Sequence, residues 1–327
     1  MRTRRVNRVV RVEPVDENEP QSTRPESAVW SLGEAKRLFL KDLRALARHT
    51  QRWHRENITA LEKILAKQGI VIQDGRDLTS ALLKDHFVFY MLDTLHLKAN
   101  TINGRVRSVR KLLQFMHREG MIRRDDSADV PLIKGEQVII QTFTQEQLVH
   151  LLRQPDRQTF TGLRDYTLML LLLETGIRIS ECLGATLPDL DLKAGHLLVH
   201  GKGGKQRRVP FQTKMRRALT EYLEARGGVA TDALFVTVDG EASKARHIQE
   251  AIREYGRQAK ITGVRVSPHT FRHTMAKFYI LAGGDVFTLQ RILGHRSLET
   301  VRLYVDMYSS DVQQQHSRFS LVEHQLP

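Results

Sequence analysis

The stretch that most constrains the fold is GLRDYTLMLLLLETG, residues 162–176. Its apolar side chains fall on nearly every side of a 3.6-residue period, so a helix here must be enclosed by other elements. It is too short for a membrane span, which needs about 18 or more apolar residues, and no such run occurs elsewhere. The helix is predicted to stop at Gly176, a residue type suited to a left-handed cap. Arg178 follows at once, in GIRISECLGA. An arginine placed directly after a buried helix is held rigidly, or serves as a partner for the negative end of the helix dipole.

The segments on either side supply what would enclose that helix. FTQEQLVHLLRQ reads as a helix capped by Thr144, with Gln147 in the capping-box position. DLDLKAGHLLVHGKGGKQRRVPF changes to strand character, and LLVH and RRVPF flank a glycine-rich turn with Lys202 at or near its tip. SKARHIQEAIREYGRQAKI is an amphipathic helix with Arg246, Arg253 and Arg257 on its outer side. In SPHTFRHTMAKFYILAGGDVFTLQRILGHRSLETVRLYVD, His269 and Arg272 are three apart and share a helical face. Gly294 suits a helix end just before His295, and Ser297 can cap a further helix that carries Tyr304. Val312 and Phe319 mark a short helix beyond it.

The 327 residues exceed one typical domain. Residues 1–28 begin arginine-rich and turn proline- and acid-rich, the composition of a flexible arm that either touches a polyanion or has no role. Residues 29–125 read as a helical domain. SLGEAKRLFLKDLRALARHT puts Leu38, Leu43 and Leu46 near one face, and NITALEKILAKQG stops at Gly69. LTSALLKDHFVFYMLDTL is capped by Thr79 or Ser80. NTINGRVRSVRKLLQFMHREG carries an apolar stripe through Ile102, Val106, Val109, Leu113 and Met116. Arg105, Arg107, Arg110 and Lys111 lie off that stripe, as nucleic-acid contacts or as a solvated charged face. Residues 126–142 read as the linker and residues 143–327 as a second domain with a C-terminal tail. The expected class is mainly α, with a small antiparallel hairpin or sheet in the second domain.

Composition narrows the chemistry. A net charge of +14 and a pI of about 10.1 favour a polyanionic partner, with nucleic acid in first place. The single cysteine, Cys182, forbids an internal disulfide and fits a small buried filler in a reducing compartment. The basic N-terminus lacks a signal-peptide core, so a cytoplasmic protein is the expectation. His269 and His273 have the spacing of a zinc pair, but TFR lies between them, so the general-base glutamate is missing and an arginine would face the cation. GKGGK lacks the spacing of a phosphate-cradling loop, and no G-x-S-x-G elbow occurs.

Phosphoryl transfer to a tyrosine suits the residues better. Arginine forks match the non-bridging oxygens of a phosphodiester, and Arg178 and Arg272 are the natural pair. Tyr304 would be the nucleophile and His269 the acceptor of its proton. Lys202 would return a proton to the leaving 5′ oxygen, and His295 would hydrogen-bond a non-bridging oxygen. No metal or other cofactor is needed, because side-chain cations carry the charge stabilisation.

Taken in order, GLRDYTLMLLLLETGIRISE, HGKGGKQRRVP, HTFRH, ILGH and the tyrosine of ETVRLYVD resemble the tyrosine recombinase, or phage integrase, family in its Xer-like and transposon-integrase branch. The resemblance is firm over residues 143–306 and looser over the preceding helical region, which looks like the family's core-binding domain. It implies Arg178, Lys202, His269, Arg272, His295 and Tyr304 as the active set. It also implies a two-domain C-shaped clamp on DNA, a homotetramer on paired sites and strand exchange through a Holliday junction. Glu181 would orient the site; the plain alternative is a glutamate on a helix surface. The segment from Asp311 to Leu321 would dock on a neighbouring subunit. YVD departs from the polar or alanine residue and histidine that follow the tyrosine in many members. The N-terminal arm is longer than a minimal Xer-type protein needs, which points toward integration or excision of a mobile element, with an accessory directionality protein as a further partner. Resolution of chromosome or plasmid dimers and type IB topoisomerase-like relaxation are the rival activities. A DNA-binding regulator that no longer cuts is the rival from another class.

Overall fold

The structure, a computed structural model, describes residues 29–135, 140–201 and 203–294. The chain divides into two compact units, residues 1–137 and 138–327. The described part is mainly helical, with one small antiparallel sheet. No described helix is long and apolar enough to cross a membrane.

The first unit packs α1 (Leu32–Asp42), α2 (Arg48–Lys67), α3 (Ser80–Leu83) and α4 (Ala99–Arg118) around one core. Ser31 and Glu34 form a reciprocal capping box at the start of α1. α3 is capped by Thr79 and runs on through a widened, π-type stretch, Lys84–Thr94, that buries Phe87, Val88 and Met91. On α4, Ile102, Val106, Val109, Leu113 and Met116 are all buried, as the stripe requires. The expected face of Leu38, Leu43 and Leu46 is corrected. α1 ends at Asp42 and the chain turns through Leu43–Ala45, so the buried side is Leu32, Ala35, Phe39 and Leu43, while Leu46 is exposed.

The division between the units falls inside the stretch read as linker, yet the first part of that stretch packs on the first unit. Val130 is buried, and Asn103 of α4 both donates to the Ile133 carbonyl and accepts from its N–H, each at 2.8 Å. Arg110 also reaches this segment, donating through Nε to the Val130 carbonyl at 2.9 Å.

In the second unit, α6 (Phe160–Thr175) is the central helix, and Leu168, Met169, Leu171 and Leu172 on it are wholly buried. Around it lie α5 (Gln145–Leu152), α7 (Ile179–Leu183), α8 (Thr213–Arg226), α9 (Ala245–Gln258) and α10 (Pro268–Leu281). α11 (Val286–Leu293) closes the described chain. The capping box of Thr144 and Gln147 forms at α5 as predicted. α6 is less uniformly apolar than its sequence suggests. Arg164 and Asp165 are buried on it as an ion pair at 2.8 Å, with the Tyr255 hydroxyl donating to the other carboxylate oxygen at 3.0 Å. Burial raises the Asp165 pKa more than Arg164 and Tyr255 lower it.

The sheet has the order β1 (Leu190–Asp191), β2 (His196–His200), β3 (Gln206–Pro210), all antiparallel. Leu197 pairs with Val209 and both face the core. The hairpin was expected; the two-residue β1 is too short to announce itself by alternation.

Thr274 of α10 shows how the second unit is closed. Its hydroxyl accepts from the buried Phe143 N–H at 3.0 Å and donates to the Thr270 carbonyl at 2.7 Å. Thr274→Val keeps the shape but leaves that N–H without an acceptor. The expected loss is roughly 1–3 kcal/mol of stability, read as a lower urea midpoint with an unchanged slope.

Candidate active site

The site begins where the central helix ends. Gly176 takes a left-handed conformation, φ 62°, and its N–H bonds to the Leu172 carbonyl. Glycine is required there twice over: a Cβ would also lie 2.7 Å from Leu293 Cδ2. The chain leaves that turn through buried Ile177 into Arg178, whose extended backbone caps α7. Three residues on, Glu181 turns back and accepts the Arg178 N–H through Oε2 at 2.9 Å. Its Oε1 accepts Arg178 Nη1 at 3.0 Å.

A third group closes on the same carboxylate. Arg207 of β3 forks onto Glu181, with Nη1 to Oε1 at 3.1 Å and Nη2 to Oε2 at 2.8 Å. Glu181 is buried. Burial works to raise its pKa, but the Arg207 hydrogen bonds, the Arg178 N–H and both guanidinium charges outweigh it and hold the group low. Glu181 is therefore an ionised, fully engaged anchor, and its placement is that of an orienting residue.

α10 supplies two more of the predicted residues. Ser267 caps it, Pro268 sits at its first position, and His269 follows in the first turn with its side chain exposed. Arg272, one turn on, is buried and donates from Nη1 to the Gly176 carbonyl at 2.7 Å and from Nη2 to the Leu293 carbonyl at 2.8 Å. Partial desolvation and the charges of Arg272, Arg178 and Arg265 lower the His269 pKa. His273 is lowered further, to about 4, by desolvation and by its neighbours His269 and Arg272. Both imidazoles are neutral at pH 7. Among the described residues, no group of three or more His, Cys, Asp or Glu is placed to hold a metal ion.

Arg178 thus meets His269 and Arg272, which lie more than ninety residues further along the chain. Lys202, His295 and Tyr304 lie outside the described residues, as do Ser297, Val312, Phe319, the segment from Asp311 to Leu321 and the arm, residues 1–28. The described flanks of the first two are ordered turns. The Gly201 N–H bonds to the Lys205 carbonyl at 2.7 Å, and Gly294 ends α11 with φ 68°.

The residues named as further DNA contacts divide. Arg107 and Lys111 are exposed on α4. Arg105 is half-buried with Nη1 3.5 Å from Met91 Sδ, and burial lowers its pKa. Arg110 is engaged with the 126–133 segment, so at least part of its role is internal. Arg246 is exposed and pairs with Glu250 one turn along α9. Cys182 is buried, and desolvation pushes its thiol pKa far up, so it is an inert core residue.

Sequence reasoning passed over Arg207. The signal was there: in β3, Arg207 has the same parity as the core residue Val209, so an arginine occupies an inward-facing position. It also passed over the buried Arg164–Asp165 pair, since the apolar residues around the two charges dominate the run.

The chain is similar to known recombinases. The model of the phage integrase family matches residues 141–310, just over half of the chain. The tyrosine recombinase XerD of Pseudomonas aeruginosa is 30% identical over 281 residues, covering 84% of this chain and 92% of that protein. XerC of Chlamydia caviae is 28% identical over 85% of this chain and 95% of its own, and XerC of Bacillus subtilis is 34% identical over 64% and 70%. Among solved structures, the XerH site-specific recombinase bound to a palindromic difH substrate superposes with a TM-score of 0.68 at 20% identity, over 90% of this chain and 85% of that one. The Tn1549 transposon integrase in complex with transposon right-end DNA gives 0.67 at 19% identity, over 89% and 99%. A lambda integrase tetramer bound to a Holliday junction gives 0.68 at 18% identity, over 82% and 78%. The chain belongs to the phage integrase family of tyrosine recombinases, enzymes that cut and rejoin DNA strands.

Proposed function

We propose that this recombinase cuts and reseals double-stranded DNA at specific sites through a 3′-phosphotyrosyl intermediate, in the integration or excision of a mobile element. The observation that carries the reading is the meeting of Arg178, at the start of α7, with Arg272 and a neutral His269, both on α10. In the reaction, the Tyr304 oxygen attacks phosphorus and the 5′ oxygen leaves. His269 takes the phenol proton and Lys202 gives one to the leaving oxygen. Arg178 and Arg272 stabilise the non-bridging oxygens, and His295 donates a hydrogen bond to one of them. The linkage to Tyr304 keeps the phosphodiester energy, so the reverse attack by a 5′ hydroxyl reseals the strand without ATP.

The assembly proposed is a homotetramer on two paired sites, supported by the lambda integrase tetramer on a Holliday junction. Arg107 and Lys111 on the exposed side of α4 and Arg246 on α9 are proposed backbone contacts; Arg105 is placed less openly. A second reading, Xer-type dimer resolution, is favoured by the near full-length match to XerD. Sequencing the DNA that becomes covalently linked to the protein in its host separates the two. Adducts at the ends of a mobile element support the proposal; adducts confined to one chromosomal resolution site support the second reading.

Tyr304→Phe is expected to bind DNA normally and form no adduct on a nicked suicide duplex; a surviving adduct would remove Tyr304 from its role. Arg178→Ala and Arg272→Ala should each slow adduct formation by roughly 10²–10³-fold, the scale of losing one preorganised donor to a transition-state oxyanion. Rates unchanged in either variant would contradict its assignment. The pH dependence follows from the sign of the His269 shift. A base must be deprotonated, and the His269 pKa lies below its ordinary 6.5. The acid limb of the second-order rate of adduct formation should therefore fall below pH 6.5 and flatten in His269→Gln.

A further inference from the structure

Arg207 takes no direct part in the chemistry above, yet it touches every approach to the site. Its fork holds Glu181, which in turn holds the Arg178 backbone and side chain. Its Nε donates to the Ile292 carbonyl at 2.7 Å, in the last turn of α11. The chain then passes directly over the guanidinium: a Cβ on Gly294 would lie 2.9 Å from Arg207 Nη1 and 3.0 Å from Cζ. The turn of the hairpin meets the same pair. A Cβ on Gly201 would lie 3.7 Å from Arg207 Nη1 and 3.8 Å from Glu181 Oε1. Gly201 precedes Lys202, and Gly294 precedes His295. One ion pair therefore holds Arg178 itself and lies beside the residues that precede two other proposed active residues.

We propose that Arg207 is a positioning residue for strand cleavage: with Glu181 it ties the end of α11 before His295 to the backbone of Arg178, with the residue before Lys202 packed alongside. Only a guanidinium can do this. It presents two parallel donors to a carboxylate and a third, on Nε, to a carbonyl. A lysine ammonium at the same place reaches the carboxylate or the carbonyl, and cannot hold both in fixed relation. Glycine at 294 is the matching half of the device, because it lets the backbone lie against the guanidinium.

The inference rests on the proposed roles of Lys202, His295 and Tyr304, and its test separates the two. Arg207→Lys keeps the charge and the aliphatic stem, so the fold is retained. Single-turnover adduct formation is measured on a nicked suicide duplex at a series of DNA concentrations. The expected result is a drop of about 100-fold in the rate at saturating DNA, the scale of a displacement of about 1 Å in a reacting group. The half-saturating concentration should stay within about twofold, because the site is misaligned and not emptied. Gly294→Ala, which pushes on the guanidinium from the other side, should give a comparable drop. The double variant should be no slower than the slower single one, as expected for two ends of one contact. A rate for Arg207→Lys within about threefold of wild type, or rate and affinity falling together, would overturn the role. An adduct in the wild type that is absent in Tyr304→Phe keeps the site reading intact whatever Arg207→Lys does. Absence of any wild-type adduct would overturn the site reading and this inference with it.

Discussion

The second unit depends on one buried carboxylate. Taking Glu181 out of water costs several kcal/mol unless cations repay it, and here two guanidiniums and a backbone N–H do so. The consequence is geometric more than energetic. Removing one member of such a buried set leaves an uncompensated charge and costs about 3–5 kcal/mol, so the set survives only in a narrow range of arrangements. Arg178 is thereby fixed relative to β3, and β3 relative to α11. The sharp turn at Gly176 makes this reachable, since it delivers Arg178 to the start of α7 where Glu181 can fold back three residues.

The same economy governs Arg272. The last carbonyls of any helix have no partner within it. At the end of α11 the Ile292 carbonyl is taken by Arg207 and the Leu293 carbonyl by Arg272. Arg272 also takes the carbonyl of Gly176, at the end of α6. Two helix C-termini, each with the negative end of its dipole, are thus capped by the site's own cations. The end of α11 is therefore held by Arg207 and by Arg272, the second of which is proposed to serve the phosphate. Stability and function are joined here, and a variant of Arg272 will report on both.

How much of this was legible depended on the range of each interaction. Local rules carried the central helix, its stop at Gly176, the Thr144–Gln147 box and the hairpin, because each is written within a few residues. The chemistry singled out Arg178, His269 and Arg272 by residue type, and folding brings those three together. Arg207 escaped because its partners, Glu181 and Ile292, lie far along the chain, and one inward arginine in a five-residue strand is a weak signal. The segment after residue 126 escaped for the opposite reason. It has no period of its own, and its order comes from Asn103 and Arg110, which replace the backbone partners that a strand or helix would supply.

The charge arrangement also decides which proton can move. Every charge that shifts His269 is a cation, and all of them drive it toward the neutral form. The Glu181 carboxylate that holds Arg178 has its charge taken up by Arg178 and Arg207, and no anion is among the groups that shift the imidazole. Cations that disfavour an imidazolium favour a phenolate for the same reason. In the proposed reaction, the base therefore weakens as the phenol becomes more acidic. The gap between their ordinary pKa values, about 10 and 6.5, does not open further. A full transfer ahead of attack remains uphill, so proton loss must accompany bond formation to phosphorus, when the negative charge passes to oxygens held by Arg178 and Arg272. In the proposed reaction, placement of those oxygens within the cationic cluster is then the step on which loss of the phenol proton depends.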